Sequence, residues 1–324
     1  MRIYVIILVL FLVHTSRSEV VEKIVEAVVM VQSIPADGFK FYYLNSNLGK
    51  GNIIEIKYGD EQSIMQHWIK DAPLKLTTHG WDTSVDSKSN KQSLHMWPSV
   101  VSISSRWIGV LLPWILSSKY PKPAALTVPV SAVIATFLER VVDITKINLN
   151  DIHLIGYGLG AHALGSCVVV ILKREKWPEL LVSLNAAGPG FQNFKGKVPQ
   201  LSADDALFVD CIHTAEGTVG YADSLGHVDF FANGGEAPQP ECKSIIEFVT
   251  AKFGNCSHRR AVELYIDSIY NRRSLIGVSC SSWDDFKDDK CKTNPTAFMG
   301  HDTEPSAKGN YYLKTQDSSP FSKN

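Results

Sequence analysis

The sequence lacks an excess of charge of either sign. It carries 32 Lys and Arg residues against 33 Asp and Glu residues, a formal net charge of −1 at pH 7. It also lacks a block of basic residues of the kind that contacts a nucleic-acid backbone. These two absences exclude nucleic acid as an expected partner.

Beyond its first residues, the sequence lacks an apolar run approaching the ~20 residues that a membrane-spanning helix needs. The apolar run from Ile3 to Val13 is shorter, and small residues follow it at Ser16 and Ser18. This pattern is typical of a secretory signal peptide over residues 1–18. It predicts a secreted, extracellular protein with no transmembrane segment.

Cysteine is sparse, with six residues, and no C-x-x-C pair lies beside histidines. A zinc site of the usual ligand spacing is therefore not expected, and we predict no metal ion and no cofactor. In an oxidising compartment the short spacings favour two disulfides, Cys242–Cys256 and Cys280–Cys291. The pairing of Cys167 and Cys211 stays open.

Short apolar runs alternate with amphipathic stretches from residue 74 to about residue 212. This alternation predicts an α/β fold with a mainly parallel sheet. The predicted strands are Leu74–His79, Val100–Ser104, Ile152–Ile155, Leu180–Leu184 and Ala206–Ile212. Apolar residues at helical spacing predict helices around 134–142 and 164–172. We expect residues 19–35 to form an N-terminal arm and residues 36–324 to form one domain.

A glycine-rich turn, "LIGYGLGAHALG" at residues 154–165, joins a predicted strand to a predicted helix. Read as G-x-G-x-x-A, it fits the turn that binds dinucleotide phosphates. Against that reading, the acidic ribose ligand expected ~20 residues later is absent, and the next strand ends in Asn185. Read as G-x-S-x-G, it fits the nucleophile elbow of α/β-hydrolases, except that Gly158 stands at the serine position.

Further motifs follow one another in the order "LTTHGW" at 76–81, "VSLNAAGPGF" at 182–191, "LFVDCIHT" at 207–214, "GHVDFFANGG" at 226–235, "CSHRRAVELYIDSI" at 256–269 and "GNYYLKT" at 309–315. Together with the elbow, they resemble the pancreatic lipase family over roughly residues 36–316. Within that family the chain is similar to the short-lid branch of phospholipase A1-like proteins, insect lipases and yolk proteins. The resemblance implies an α/β-hydrolase fold whose mainly parallel sheet is covered by helices on both faces.

The resemblance also implies a site in which a serine attacks an ester, a histidine takes its proton and an aspartate orients the histidine. Here His258 stands at the histidine position, but Gly158 replaces the serine and Asn185 replaces the aspartate. Glycine has no side-chain atom that could attack a carbonyl. The backbone N–H groups of Trp81 and Leu159 are the implied oxyanion hole.

The segment between Cys242 and Cys256 corresponds to the family's lid. Its apolar residues are Ile245, Ile246, Phe248, Val249 and Phe253. Such a loop could touch lipid, and packing onto the core is the equal alternative. The family's calcium loop retains Asp205 but carries Lys197 and Ser202 near positions of acidic ligands, which supports the absence of a metal. The later stretch "SSWDDFKDDK" lacks EF-hand spacing and predicts a solvated loop.

These observations predict a secreted, catalytically inactive lipase-family protein that binds, carries or stores lipid or another hydrophobic ligand, as in the yolk-protein branch. Two alternatives stay open. The protein could be an active phospholipase A1 or carboxylic ester hydrolase with a non-standard nucleophile. Ser166 and Ser183 are the nearest hydroxyls by sequence, but one falls inside a helix and the other inside a strand. The second alternative is a protein-interaction regulator of active lipases.

Overall fold

The structure is a computed structural model that describes residues 39–48, 52–79, 99–105, 122–171, 178–194, 199–242 and 255–322. The strands are β1 Phe39–Asn45, β2 Ile54–Lys57, β3 Leu74–Thr78, β4 Ser99–Ser105, β5 Ile152–Tyr157, β6 Leu180–Leu184, β7 Phe208–His213, β8 Val228–Ala232, β9 Ile276–Ser279, β10 Thr296–Phe298 and β11 Gly309–Leu313. The α-helices are α1 Lys122–Thr145, α2 Leu159–Ile171, α3 Asn255–Tyr270 and α4 Trp283–Lys287. The predicted signal peptide and arm, Trp81 and the predicted lid residues lie outside the described residues.

All of these strands belong to one sheet, in the order β10-β9-β11-β8-β7-β6-β5-β3-β4-β1-β2. The seven central strands, β11-β8-β7-β6-β5-β3-β4 in sheet order, run parallel. Antiparallel pairing adds β9 and β10 at one edge of the sheet and β1 and β2 at the other. The register pairs Gly156 with Thr78 and Ser183, and Ser183 with Cys211. The carboxyl ends of β3, β5, β6 and β7 therefore meet at one edge, which is where ligand sites form in such sheets.

Helices cover both faces of the sheet because alternate strand residues point to opposite sides. On one face Leu154 shares a buried cluster with Phe137 of α1 and Leu164 of α2. On the other face Ile155 shares a cluster with Leu264 of α3. The predicted α/β-hydrolase fold, with a mainly parallel sheet and helices on both faces, is therefore confirmed. No helix in the described ranges combines the length and the apolar character needed to cross a bilayer.

The predicted strands are present, and their bounds agree to within two residues. The bounds differ by two residues at the end of β5, which extends to Tyr157 rather than Ile155, and at the start of β7, which begins at Phe208 rather than Ala206. The preceding Ala203–Asp205 segment forms a 3-10 turn in which Ser202 and Asp205 cap one another. This reciprocal capping holds the chain out of the sheet until residue 208.

The solvated loop predicted after Cys280 is wrong in part, because Trp283–Lys287 forms the short helix α4. Ser282 caps this helix by accepting a hydrogen bond from the Asp285 N–H at 3.1 Å. Acidic residues in a first turn also favour a helix, since they face its positive end. Trp283 packs on the buried cluster that contains the Cys280–Cys291 disulfide, so the segment is an ordered cap on the core.

Candidate functional site

Gly158 lies in the sharp turn between β5 and α2. Its φ of +58° falls in the left-handed region that favours glycine. Its N–H donates to the Leu184 carbonyl at 3.1 Å, and its carbonyl accepts from the N–H groups of Ala161 and Ala187, both at 3.2 Å. These bonds anchor the turn to β6 and to the segment that follows β6.

The glycines on either side of Gly158 permit close approach of the backbone. A Cβ at Gly156 would lie 2.4 Å from Ala161 Cα, and one at Gly160 would lie 2.3 Å from Thr78 Oγ1. Real Cβ atoms do not approach other atoms this closely, so both positions exclude a side chain. The close packing of α2 against β3 and β5 therefore explains both glycines, and no catalytic role is needed to explain them.

Asn185 directly follows β6, with a φ of +49° and a buried side chain. Its Oδ1 accepts hydrogen bonds from the backbone N–H groups of Thr214 at 2.9 Å and Ala215 at 3.0 Å. Two N–H donors require an oxygen acceptor, which sets the orientation of the amide. Its Nδ2 therefore points the other way, and it donates to Nδ1 of His258 at 2.5 Å.

The loop that follows β7 packs closely against the Asn185 amide. A Cβ at Gly220 would lie 2.8 Å from both the Oδ1 and the Nδ2 of Asn185. Gly220 also donates its N–H to the Ala215 carbonyl at 2.9 Å, which closes the loop whose N–H groups hold Oδ1. The amide thus fits a cradle with no room for a side chain at residue 220.

His258 lies in the first turn of α3. The Cys242–Cys256 disulfide ties the start of this helix to the segment after β8. Ser257 adds a second tie, because its Oγ accepts from the backbone N–H of Gln239 at 2.9 Å. The ring of His258 also packs at a tilt of 31° against the Tyr157 ring, with centroids 4.4 Å apart. Since Tyr157 directly precedes Gly158, this contact places the imidazole beside the elbow.

The hydrogen bond from Asn185 determines which nitrogen of His258 carries the proton. Because Nδ1 accepts from the amide, a neutral ring carries its proton on Nε2. A general base of a Ser-His-Asp triad requires the opposite tautomer, with the proton on Nδ1 and the lone pair on Nε2. Burial lowers the pKa of His258 to about 4, so the imidazole is neutral at pH 7.

The remaining predicted positions divide into two groups. Leu159 begins α2 immediately after Gly158 and is buried, so its backbone N–H lies beside the elbow. Trp81 and the apolar lid residues, Ile245, Ile246, Phe248, Val249 and Phe253, lie outside the described residues. Their expected roles stay predictions.

Both alternative hydroxyls are buried. Ser166 is 3% exposed within α2, and Ser183 is 1% exposed within β6. Ser166 lies inside α2, and Ser183 lies inside β6, where it pairs with Gly156 and Cys211. Their burial inside these elements disfavours both hydroxyls as replacement nucleophiles.

Both predicted disulfides, Cys242–Cys256 and Cys280–Cys291, are present. The two remaining thiols, Cys167 and Cys211, are free and buried. Burial raises the pKa of both thiols, which keeps them in the weakly nucleophilic protonated form.

A second polar cluster, not predicted from the sequence, lies on β7 and β8 and contains Cys211, His213 and Asp229. His213 Nε2 donates to Asp229 Oδ1 at 2.7 Å. Asp229 also accepts from the backbone N–H groups of Leu225 and Gly226. The signal in the sequence was the spacing of "DCIHT", because alternate strand residues share a face.

His213 and Asp229, the two partners of this hydrogen bond, are both buried. Burial by itself lowers the pKa of His213, but the hydrogen bond to Asp229 and its negative charge outweigh burial, so the pKa is raised. A further hydrogen bond joins the ring to the backbone of Tyr221. The hydrogen bonds of His213 and Asp229 to one another and to the nearby backbone form a buried polar network on β7 and β8.

Asp205, the acidic residue that the family resemblance assigns to an eroded calcium loop, has a structural role. It is buried, and its Oδ2 accepts from the Ser202 N–H at 2.7 Å. Burial raises its pKa to about 6. A Cβ at Gly165 of α2 would lie 2.6 Å from this same oxygen, so the carboxylate packs directly against α2.

Comparison with known proteins adds sequence similarity to this geometry. The family model described as Lipase matches residues 19–321. Lipase member H of Mus musculus is 33% identical over 174 residues, which cover 53% of this chain and 37% of that protein. Hepatic triacylglycerol lipase of Oryctolagus cuniculus is 32% identical over 274 residues, 77% of this chain and 54% of that protein.

Pancreatic triacylglycerol lipase of Cavia porcellus is 33% identical over 217 residues, which cover 59% of this chain and 45% of that protein. The chain thus spans between 37% and 54% of the length of these three relatives.

Proposed function

The chain belongs to the lipase family, and from that premise we propose that it is a member that does not hydrolyse esters and instead binds lipid or another hydrophobic ligand. In this proposal Gly158 stands where the family has its nucleophile. Asn185 stands where the family has its acid, and His258 retains the position of the base. Leu159 and Trp81 retain the oxyanion hole through their backbone N–H groups.

One observation carries the proposal: the Asn185 amide donates to His258 Nδ1 while two backbone N–H groups hold its oxygen. The imidazole is thereby kept with its proton on Nε2, so that it cannot accept a proton from a nucleophile or a water at the elbow. In serine proteases the same exchange of acid for amide lowers turnover by about 10⁴-fold through the wrong tautomer. A glycine at the elbow removes the attacking atom as well.

The ligand-binding part of the proposal rests on family membership and on the lid segment. The residues between Cys242 and Cys256 include two isoleucines, two phenylalanines and a valine, and the disulfide holds both ends of this segment beside α3. In this proposal the apolar side chains of the segment contact the hydrophobic ligand. Transport or storage, as in yolk proteins, is the role that such binding would serve.

We also propose that the protein is secreted. The two disulfides support export, since disulfides persist in oxidising compartments and are rare in the cytosol. The apolar run Ile3 to Val13 would direct that export.

Measuring ester hydrolysis with four matched proteins tests the loss of activity. These are the unmodified chain, Gly158→Ser, Asn185→Asp and the double variant, each assayed on a p-nitrophenyl ester and on phosphatidylcholine vesicles. We expect no turnover above background from the first three, since each still lacks the nucleophile or the correct tautomer. The double variant should show measurable turnover that a third substitution, His258→Ala, abolishes.

Turnover by the unmodified chain that His258→Ala abolishes would overturn the proposal in favour of an active esterase. A covalent fluorophosphonate adduct on the unmodified chain would do the same. Lipid extraction of the purified protein followed by mass spectrometry tests ligand binding. The regulator alternative would be favoured by a different result. In that case the protein carries no lipid, does not bind vesicles, and captures an active lipase.

A further inference from the structure

Two polar side chains lie at the end of the sheet opposite the elbow, where the parallel strands begin. Lys75 is the second residue of β3 and His153 is the second residue of β5, and the strand register pairs them. Their side chains lie on the same face as Ile155, which belongs to the apolar cluster that includes residues of α3. This position explains why Lys75 is only 5% exposed.

The amine of Lys75 is in hydrogen-bond contact with Nδ1 of His153. An ammonium group only donates, so Nδ1 accepts and the neutral imidazole carries its proton on Nε2. Nε2 in turn lies 3.8 Å from a carboxylate oxygen of Glu179, which directly precedes β6. The three side chains therefore form a row of carboxylate, imidazole and amine, in which His153 presents a lone pair to a Lys75 proton.

Part of the Lys75 population carries a neutral amine at physiological pH. Burial lowers the pKa of Lys75 to about 8, and the negative charge of Glu179 opposes this shift only in part. At pH 7.5 roughly a quarter of such groups are neutral, about two hundredfold more than for a lysine of ordinary pKa. A neutral amine is a nucleophile, and desolvation is one way in which proteins activate a lysine.

The surroundings of Lys75 restrict the electrophile that it can meet. The side chain of His153 is 24% exposed and that of Glu179 is 53% exposed, so the row opens to solvent at its carboxylate end and Lys75 lies at its buried end. A charged reagent would lose its hydration on entering such a position. Carbon dioxide is uncharged and has three atoms, so it meets these restrictions better than a bulky carbonyl compound does.

We propose that Lys75 is a carbamylation site for carbon dioxide and that His153 is the base of this reaction. The neutral amine attacks the carbon atom, an N–C bond forms, and one C=O electron pair moves onto oxygen. The proton released from Nζ passes to Nδ1 of His153. The imidazolium then lies between two negative groups, the carbamate and Glu179, which favours its charged form. The site is separate from the elbow, so this proposal does not depend on the proposed function.

Trapping of the carbamate on the unmodified chain tests the proposal. The full chain is equilibrated with ¹³C-labelled bicarbonate at pH 7.5, ethylated with a trialkyloxonium salt and mapped by peptide mass spectrometry. We expect the labelled adduct on Lys75, at an occupancy at least about tenfold above that of the exposed Lys57 in β2. The α-amino group, with an ordinary pKa of ~8, is the internal positive control for trapping.

An adduct on the α-amino group without one on Lys75 would overturn the proposal. Equal occupancy of Lys75 and Lys57 would overturn it as well, because Lys75 would then have no special reactivity. Both readings come from the unmodified chain, so neither depends on whether a variant folds.

Matched substitutions test the roles of the two residues. In ¹³C NMR of the labelled sample, Lys75→Arg should abolish one carbamate resonance, since a guanidinium keeps the charge without reacting. Lys57→Arg, which alters an exposed lysine, should retain that resonance. His153→Gln should lower the carbamate occupancy roughly fivefold or more, because glutamine can hydrogen-bond Lys75 but cannot take its proton. Unchanged occupancy in His153→Gln would contradict the role of His153 as the base.

Discussion

At the scale of single residues, Gly158 and Asn185 both adopt positive φ, +58° and +49°. Asparagine tolerates this conformation better than most residues, because its short polar side chain bonds locally, and glycine adopts it without strain. The backbone of this turn therefore has the left-handed conformation at Gly158 without strain. Gly158 itself carries no side-chain atom that could attack a carbonyl.

We predict that Gly158→Ser destabilises the protein by about 1–2 kcal/mol, because a Cβ is strained in the left-handed region. Urea unfolding at pH 7 measures this as a lower transition midpoint with an unchanged slope. Gly217→Ser is a matched control, since Gly217 has a φ of +72° and no atom within 4 Å of the added Cβ. The two variants should lose similar free energy, and a gain in stability for Gly158→Ser would contradict strain as the reason for glycine.

At the scale of secondary-structure elements, α2 and α3 carry the two sides of the site. His162 in α2 is buried and makes two hydrogen bonds. Its Nε2 donates to the Ala187 carbonyl at 2.8 Å, and its Nδ1 accepts from the Leu201 N–H at 3.1 Å. These bonds join α2 to the segments that follow β6. In α3 the corresponding constraint is the Cys242–Cys256 disulfide.

We predict that replacing Cys242 and Cys256 by alanine has two effects. The free energy of unfolding should fall by roughly 3 kcal/mol, because the disulfide closes a loop of 14 residues. The NMR resonances of His258 should also shift, because the start of α3 loses its tie. Replacing Cys280 and Cys291, which are separated by 11 residues, should cost a similar free energy and leave His258 unchanged. Equal shifts from both pairs would show that the first disulfide has no local role at the site.

At the scale of the whole molecule, the sheet buries ionisable groups that couple stability to pH. Asp210 in β7 is fully buried. Its Oδ2 accepts from Thr303 Oγ1 at 2.8 Å, and its Oδ1 has no partner in the described part of the chain. Burial raises the pKa of Asp210 to about 7. A raised pKa stabilises the fold at low pH, and this contribution is lost as the pH rises through about 7.

We therefore predict that Asp210→Asn becomes more stable relative to the unmodified chain as the pH rises. Between pH 5 and pH 8 the relative gain should be roughly 2–3 kcal/mol in urea unfolding experiments. Asp302→Asn is the control, since the Arg272 guanidinium holds the pKa of Asp302 below its usual value. Its stability difference should be constant over the same range. If the difference in unfolding free energy between Asp210→Asn and the unmodified chain stays constant from pH 5 to pH 8, ionisation of Asp210 does not destabilise the fold and the prediction is wrong.

Much of the fold followed from local patterns. The strand Leu180–Leu184 occurs at its predicted bounds, because a short apolar run between polar breaks is a local signal. α4 did not follow, since its stability depends on a serine cap and on packing against the Cys280–Cys291 disulfide. The Cys211, His213 and Asp229 cluster was also missed, because β7 and β8 are brought side by side only when the sheet forms.

The sequence by itself determined which atoms the elbow lacks: a glycine cannot attack, and an amide carries no charge. Only the tertiary structure decided which way the Asn185 amide faces, because the two N–H groups that hold its oxygen come from residues 29 and 30 positions further along the chain. That orientation, and with it the proton on Nε2 of His258, depends on three separate segments meeting at one edge of the sheet. No local pattern of residues encodes such a meeting, since it is the packed sheet that brings the donors, the amide and the ring within hydrogen-bonding distance.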